Sequence, residues 1–198
     1  MTPNMTLSSA VWAQNTLLKK AALVVLGSLF IALSAQITVQ TLPVPITMQT
    51  FAVLVVGLSF GSRLGALAVI AYLLEGLVGL PVFAGLTAGP AILFGKTGGY
   101  LFGFVAAAFI TGWLAERGWD RNVAKTALAM IVGNLIIYVP GLIVLHTVLN
   151  TVMDASWAQI WGWGAAPFLL VDALKVALAA GLIPAAWFFL GKRSEKDV

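Results

Sequence analysis

Long apolar runs are the feature that most constrains how this chain can fold. Hydrophobic residues make up 61% of its 198 residues and charged residues only 9%, whereas a soluble domain carries roughly 25% charged residues. A helix of about 20 apolar residues crosses the hydrocarbon core of a bilayer. Because several such runs follow one another, we predict an all-α, polytopic membrane protein. The length suits a single transmembrane domain over residues 1–198, without a separate soluble catalytic domain.

Six segments are predicted to cross the membrane, joined by short turns. Leu42-Pro43-Val44-Pro45 ends the first of them, because two prolines so close together cannot continue a helix. The glycine-rich segment Val82 to Lys96 is too apolar for an exposed loop, and we expect it to cap the bundle or to re-enter it. Gly99 and Gly103 are predicted to form a close-packing helix face. The predicted helices cover residues 21–41, 46–60, 64–80, 98–114, 126–149 and 167–190.

The chain ends and one loop complete this plan. Residues 1–18 form either a short interfacial helix that carries Trp12 or a frayed terminus. The first apolar run is longer than a signal-peptide core, so we expect an uncleaved first span. The loop 150–166 contains three tryptophans, which are typical of the membrane interface. They are Trp157, Trp161 and Trp163.

The distribution of lysine and arginine predicts the orientation of the helices. An even number of spans places both termini on the same side, and basic residues concentrate on the cytoplasmic side of membrane proteins. Nine basic residues fall on the side of the termini, whereas Lys96 alone falls on the other side. We therefore expect both termini in the cytoplasm. The nine are Lys19, Lys20, Arg63, Arg117, Arg121, Lys125, Lys192, Arg193 and Lys196.

Composition also argues against several kinds of chemistry. The chain has no cysteine and one histidine, so it offers no thiolate nucleophile and no site built from several histidines. Gly57-Leu58-Ser59-Phe60-Gly61 matches a serine-nucleophile pattern, but His146 lies at the opposite depth, roughly 20–30 Å away. Basic residues at membrane boundaries do not suggest nucleic-acid binding. We predict no metal and no cofactor.

An acid and a base lie three residues apart inside the last predicted span, Asp172 and Lys175. Ionisable groups within the membrane are costly and usually functional. Counting residues from the span ends places them in the outer half of the membrane, together with other polar side chains. We predict a ligand pocket there; the alternative is that the pair is only a structural ion pair and that the others bond between helices. These other side chains are Gln49, Glu75, Tyr100, Asn134 and Tyr138.

The predicted pocket suits a small polar molecule with an apolar body. Asp172 can accept two N–H bonds, Lys175 can donate to a carbonyl or carboxylate, and Asn134 and Gln49 can do both. A ureido or amide ring presents donors and an acceptor together and would match this set. The predicted apolar walls are Phe83, Tyr100 and Trp163.

Four motifs in this order resemble the BioY family, the biotin-binding S components of energy-coupling factor (ECF) transporters. They are Pro43-Val44-Pro45-Ile46-Thr47-Met48-Gln49-Thr50, Gly79-Leu80-Pro81-Val82-Phe83-Ala84-Gly85, Thr97-Gly98-Gly99-Tyr100-Leu101-Phe102-Gly103-Phe104, and Asp172-Ala173-Leu174-Lys175. The resemblance covers about residues 20–190. It implies a six-helix S-component fold in the bacterial cytoplasmic membrane and biotin capture from outside. It also implies docking onto a transmembrane coupling subunit driven by two cytoplasmic ATPase subunits, although some members are thought to work without a dedicated set.

The same resemblance implies roles for individual residues. Asp172 and Lys175 would bind the biotin ureido ring, and Tyr100 with the segment Pro81 to Gly85 would line or cap the pocket. Ser28 and Ala32 would form part of the surface that meets the coupling subunit. Lys96 stands where the family pattern has proline, and we expect it to pair with the biotin carboxylate. The alternatives are an S component for another small vitamin and a membrane-embedded enzyme.

Overall fold

A computed structural model describes residues 5–11 and 16–196, with side chains up to Leu190. Most of these residues are helical, and two short strands form an antiparallel hairpin. The strands are β1 (Thr38–Val39) and β2 (Ile46–Thr47). The helices are α1 (Leu7–Val11), α2 (Leu17–Gln36), α3 (Gln49–Phe60), α4 (Ser62–Leu77), α5 (Pro90–Leu93), α6 (Gly98–Ala115), α7 (Val123–Asn150), α8 (Trp157–Gly164) and α9 (Leu169–Lys196).

The predicted fold class is confirmed at the level of a multi-pass helical membrane protein. Within the described residues, four helical segments are long and apolar enough to cross a bilayer: Leu17–Gln36, Gly98–Ala115, Val123–Asn150 and Trp157–Leu190. Helices α3 and α4 occupy the second and third predicted spans, but they contain only 12 and 16 residues. At about 1.5 Å per residue, α3 is shorter than the hydrocarbon core. The count of six spans therefore stays a prediction.

Helix α6 lies at the centre of the bundle and packs against α3, α4 and α7. Small residues permit these close contacts, as expected for helices in a membrane. A Cβ atom on Gly99 would lie 2.2 Å from the carbonyl oxygen of Pro140, and one on Gly103 would lie 3.0 Å from Ile137 Cα. The predicted close-packing face of α6 is therefore confirmed, and its partner is α7.

The predicted boundary between the first two spans is wrong. Helix α2 ends at Gln36 rather than at residue 41, and residues 46–47 form a strand rather than the start of a helix. Thr38 pairs with Thr47 and Val39 with Ile46 across the hairpin. β-Branched side chains favour strands, and hydropathy alone cannot distinguish a short apolar strand from the last turn of a helix.

The predicted loop 150–166 is also wrong in part, because α8 occupies residues 157–164. Ser156 and Gln159 form a capping box, in which each side chain accepts from the other residue's backbone N–H. Trp157 and Trp161 are exposed on α8, and the Trp157 ring stacks on His146 with centroids 4.1 Å apart. At the N-terminus, α1 is helical, whereas Trp12 lies outside the described residues.

The turn between α6 and α7 is tied to α9 by a buried carboxylate. Asp120 is fully buried, and Trp187 Nε1 donates to its Oδ2 atom at 2.6 Å. The guanidinium of Arg121 lies 4.5 Å from the Trp187 ring centroid. Burial raises the pKa of the Asp120 carboxyl, and the Trp187 hydrogen bond and Arg121 only partly oppose it. This contact fixes α9 at the end of the bundle that the charge bias predicts to be cytoplasmic.

Candidate ligand-binding site

A cavity of about 440 Å³ opens at the opposite end of the bundle. Its wall combines the hairpin, the first turns of α3 and α6, the second half of α7 and the start of α9, because these chain segments all converge at this end. Its volume lies within the range of about 300–1,000 Å³ that is typical of small-molecule sites. Its polar and aromatic surface includes Thr47, Gln49, Thr50, Phe83, Lys96, Tyr100, Phe104, Tyr138, Phe168 and Lys175.

Lys175 and Asp172 form a buried ion pair at one side of this cavity. The Lys175 Nζ atom lies 2.9 Å from Asp172 Oδ1, and both residues are about 95% buried, with exposures of 4% and 5%. Lys175 also donates to the carbonyl oxygen of Thr47 at 2.7 Å and to the hydroxyl of Thr50 at 2.8 Å. A buried charge is tolerated when it is paired and hydrogen-bonded. The two residues therefore form an ion pair, with all three lysine donors used within the chain. Their role in ligand binding stays a prediction.

Asp172 lies behind the cavity wall rather than in it. Its Oδ2 atom accepts a short hydrogen bond from the Tyr138 hydroxyl, and its Oδ1 atom accepts from Thr50 at 3.4 Å. Tyr138, Thr50 and Lys175 line the cavity, whereas Asp172 does not. The carboxylate therefore orients three polar side chains that a ligand would meet first.

Gln49 adds a neutral amide to the polar side of the cavity. It is 5% exposed, and its Nε2 atom donates to the Tyr72 hydroxyl at 2.6 Å. The Thr47 hydroxyl donates to Gln49 Oε1 at 3.0 Å. These bonds hold the amide at the N-terminal turn of α3, so the prediction that Gln49 faces the pocket is consistent with its place in the wall.

Aromatic side chains form the apolar part of the wall. Tyr138 makes edge-to-face contacts with Tyr100 and Phe168, with centroids 6.4 Å apart in both cases. Tyr100 donates its hydroxyl to the carbonyl oxygen of Gly164 at 2.9 Å, so it offers the cavity its ring. Trp163, predicted as a third wall, is not in the lining, and Phe104 and Phe168 take that place.

The glycine-rich segment Val82 to Lys96 lines the cavity, and it contains the short helix α5 rather than being wholly non-helical. Phe83 is 1% exposed and packs on Gly76 of α4, where a Cβ atom would lie 2.1 Å from the phenyl ring. Gln36, the last residue of α2, donates to the carbonyl oxygens of Val82 and Phe83 at 3.3 and 3.1 Å. Its Oε1 atom accepts from Leu86 N at 3.0 Å. The side chain of Gln36 thus bonds to three backbone groups of this segment.

The charges of the cavity wall favour an anionic group on the ligand. Among the described lining residues, Lys96 and Lys175 are cationic and none is a carboxylate. Lys175 is neutralised by Asp172. Lys96 is half-buried and carries the remaining positive charge of the wall.

Six of the eight residues predicted to bind the ligand line the cavity: Gln49, Phe83, Lys96, Tyr100, Tyr138 and Lys175. Asp172 supports them from behind. Asn134 does not line the cavity; it is 8% exposed and its Oδ1 atom has no hydrogen-bond partner. Asn134 shares a helix face with Tyr138 but lies one turn deeper on α7, so it does not reach the cavity.

The predicted docking pair and Glu75 have a different role from the cavity residues. Ser28 is fully buried, and its hydroxyl donates to Glu75 Oε1 at 2.8 Å, joining α2 to α4. Ser28 is therefore not on an exposed face, because it packs within its own chain, whereas Ala32 is half-buried. Glu75 is outside the cavity lining.

Thr50, Phe104 and Phe168 are among the cavity residues that sequence reasoning missed. Thr50 and Phe104 stood inside the quoted motifs, but no rule of spacing assigns them a direction. Phe168 ends a short 3₁₀ turn that precedes α9, and it lines the cavity.

Comparison with known proteins agrees with this arrangement. The sequence model of the BioY family matches residues 4–192, nearly the whole chain. The chain belongs to the BioY family. Family membership places the chain among transport proteins and not among enzymes.

Individual relatives support the family assignment. The chain is 38% identical to the biotin transporter BioY of Thermotoga maritima over 150 residues, covering 76% of this chain and 85% of the relative. It is also 38% identical to the probable biotin transporter BioY of Pyrococcus horikoshii over 163 residues, covering 81% and 93%. The fold matches a solved S component for biotin from an ECF-type ABC transporter, with a TM-score of 0.71 at 22% identity over 85% of this chain and 90% of that one.

Proposed function

We propose that this chain is a biotin-binding membrane subunit that captures biotin for uptake. The observation that carries the proposal is the buried Asp172–Lys175 pair beside a cavity of about 440 Å³, in a member of the BioY family. An ion pair in a membrane helix is expensive, and this one supports the hydroxyl and ammonium groups that line the cavity. Relatives named biotin transporters make biotin the ligand to test first.

Different residues of the cavity wall would bind the two polar groups of biotin. Lys175 and Tyr138, with Asp172 behind them, would bind the ureido ring, which carries two N–H donors and one carbonyl acceptor. Lys96, the wall's unneutralised cation, would pair with the valerate carboxylate. The aromatic rings between them would contact the apolar body of the ligand, as is usual for small-molecule sites.

The cavity would open to the outside of the cytoplasmic membrane of a bacterium, with both termini in the cytoplasm and six spans. This orientation is supported by the charge bias, because the cluster around Arg117, Arg121 and Lys125 lies at the end of the bundle opposite the cavity.

Transport would use partner chains, a transmembrane coupling subunit and two cytoplasmic ATPase subunits. Support for them comes from the fold, which is that of a solved S component. The surface of α2 around Ala32 would face the coupling subunit, without a contribution from the buried Ser28 side chain. Co-purification of the ATPase subunits with the tagged chain from native membranes tests this part.

Binding of radiolabelled biotin to the purified chain tests the proposed function. We expect saturable binding that excess unlabelled biotin displaces and excess thiamine does not. Absence of saturable biotin binding by a monodisperse preparation would contradict the proposal. Displacement by another vitamin at similar concentration would instead indicate an S component of different specificity.

A further inference from the structure

The chain itself supplies an acceptor for each N–H donor of Lys175. Its Nζ atom lies 2.7 Å from the carbonyl oxygen of Thr47, 2.8 Å from Thr50 Oγ1 and 2.9 Å from Asp172 Oδ1. An ammonium group has three donors and no further capacity for hydrogen bonding. A ligand oxygen can therefore bond well to Lys175 only if it replaces one of these three acceptors.

Thr50 is the acceptor that a ligand can replace at least cost. The Thr47 carbonyl belongs to the backbone of β2, and the Asp172 carboxylate neutralises the buried ammonium. The Thr50 hydroxyl is neutral, and the residue is half-buried in the cavity wall. A threonine in a helix divides between two χ1 rotamers, so its hydroxyl can turn away from Lys175.

The hydroxyl of Thr50 has the hydrogen-bond polarity of a ureido group. It accepts from Lys175 at 2.8 Å and donates to Asp172 Oδ1 at 3.4 Å. A ureido group can replace both bonds, because its carbonyl can accept from Lys175 and its adjacent N–H can donate to Asp172. The 3.4 Å bond to the carboxylate is long for an O–H donor, whose usual distance is about 2.7–2.8 Å. A ligand N–H could therefore replace it with little loss.

We propose that Thr50 is a specificity-determining residue whose hydroxyl holds the places of the ligand's ureido carbonyl and N–H between Lys175 and Asp172. This inference rests on the proposed biotin function. The hydroxyl keeps the buried pair hydrogen-bonded and is displaced by a ligand that presents an acceptor beside a donor. A ligand with a carbonyl but no adjacent N–H would bond to Lys175, but it would not replace the hydrogen bond that Thr50 donates to Asp172. The site therefore selects cyclic ureas and lactams over esters and ketones.

Displacement of an internal hydroxyl has a measurable consequence. Thr50→Val removes the hydroxyl and keeps the shape of the side chain, so Lys175 has a donor that only water or ligand can fill. We expect Thr50→Val to bind biotin about threefold to tenfold more tightly than the wild type, the range of one net hydrogen bond. Thr50→Ser is the matched control, because it keeps the hydroxyl and loses the methyl group, and it should show no gain.

Titration calorimetry of the purified full chain with biotin measures both variants. A gain in Thr50→Val and in Thr50→Ala without a gain in Thr50→Ser supports the inference, because alanine removes the hydroxyl without adding an apolar group to the cavity wall. Weaker or unchanged binding by Thr50→Val overturns it while the biotin function stands. If Thr50→Val is not monodisperse, Thr50→Ala must show the gain, and its failure to do so overturns the inference. Lack of binding by the wild type would instead contradict the proposed function itself.

Discussion

Asp172 and Glu75 are both acids within predicted spans, but their contacts differ. Asp172 bonds to Lys175, Tyr138 and Thr50 at the cavity, whereas Glu75 accepts from Ser28 and lies outside the lining. We expect Asp172→Asn to weaken biotin binding by roughly tenfold to a hundredfold, since it removes a charged acceptor from the network. Glu75→Gln, the matched control, should change the affinity by less than about threefold on the same scale. Equal losses in equilibrium binding would mean that the pocket is misassigned.

The proposed pairing of Lys96 with the biotin carboxylate can be tested by changing the charge of the ligand. We expect Lys96→Ala to weaken biotin binding by roughly fivefold at low salt, as for a solvent-accessible ion pair. The loss should shrink as salt screens the interaction. Binding of biotin amide, which has no carboxylate, should be the same in Lys96→Ala and the wild type.

Lys96→Arg keeps the positive charge and serves as the control for this substitution. It should retain most of the affinity and its dependence on salt. The assignment fails if Lys96→Ala leaves both the affinity for biotin and its salt dependence unchanged.

At the scale of single residues, the sequence predicted the types of side chain at the site better than it predicted which residues contact one another. It identified Asp172 and Lys175 because charges in an apolar helix are rare, and it identified Gln49 and Tyr138 by depth. It placed Asn134 in the pocket because depth and helix face do not determine which neighbour covers a side chain. Thr50 was missed since a threonine in a helix turn has no distinguishing pattern until its partner on α9 is known.

The buried contact between the α6–α7 turn and α9 predicts a dependence of stability on pH. Burial raises the folded-state pKa of Asp120 above its ordinary value of about 3.9. Above pH 4 the folded chain therefore keeps a proton that the unfolded chain has lost. Wild-type stability falls as pH rises through this window, until pH exceeds the raised pKa. Asp120→Asn does not titrate, so its stability relative to the wild type should rise over the same window.

Thermal unfolding between pH 4 and 7, followed by tryptophan fluorescence, measures this difference. Asp154→Asn removes an exposed carboxylate and is the control. A stability difference between Asp120→Asn and the wild type that does not vary with pH would contradict the assigned effect of burial.

At the scale of elements, long helices were predictable and short ones were not. Gly98–Ala115 and Val123–Asn150 agree with the predicted spans to within three residues, because apolar length alone defines them. The β1–β2 hairpin was missed because two strands of two residues lie inside an apolar stretch. Helix α8 was missed because three tryptophans suggested a loop at the interface, although Ser156 and Gln159 have the spacing of a capping box.

At the scale of the whole molecule, we expect the two ends of the bundle to lie on opposite sides of the membrane. The chain has no cysteine, so single cysteines introduced at exposed positions report sidedness without background. Leu42, 87% exposed in the hairpin, marks the cavity end, and Lys125, exposed at the start of α7, marks the other. We expect a membrane-impermeant maleimide to label Leu42→Cys in intact spheroplasts. Lys125→Cys should be labelled only after permeabilisation, and the reverse pattern would contradict the proposed orientation.

A structure of the full chain with biotin bound is the decisive measurement for the proposed binding site. We expect biotin in the cavity beneath the segment Val82 to Lys96, with the ureido oxygen within about 3 Å of Lys175 Nζ and the carboxylate beside Lys96. Biotin bound outside this cavity, or bound with its carboxylate at Lys175, would contradict the proposed site.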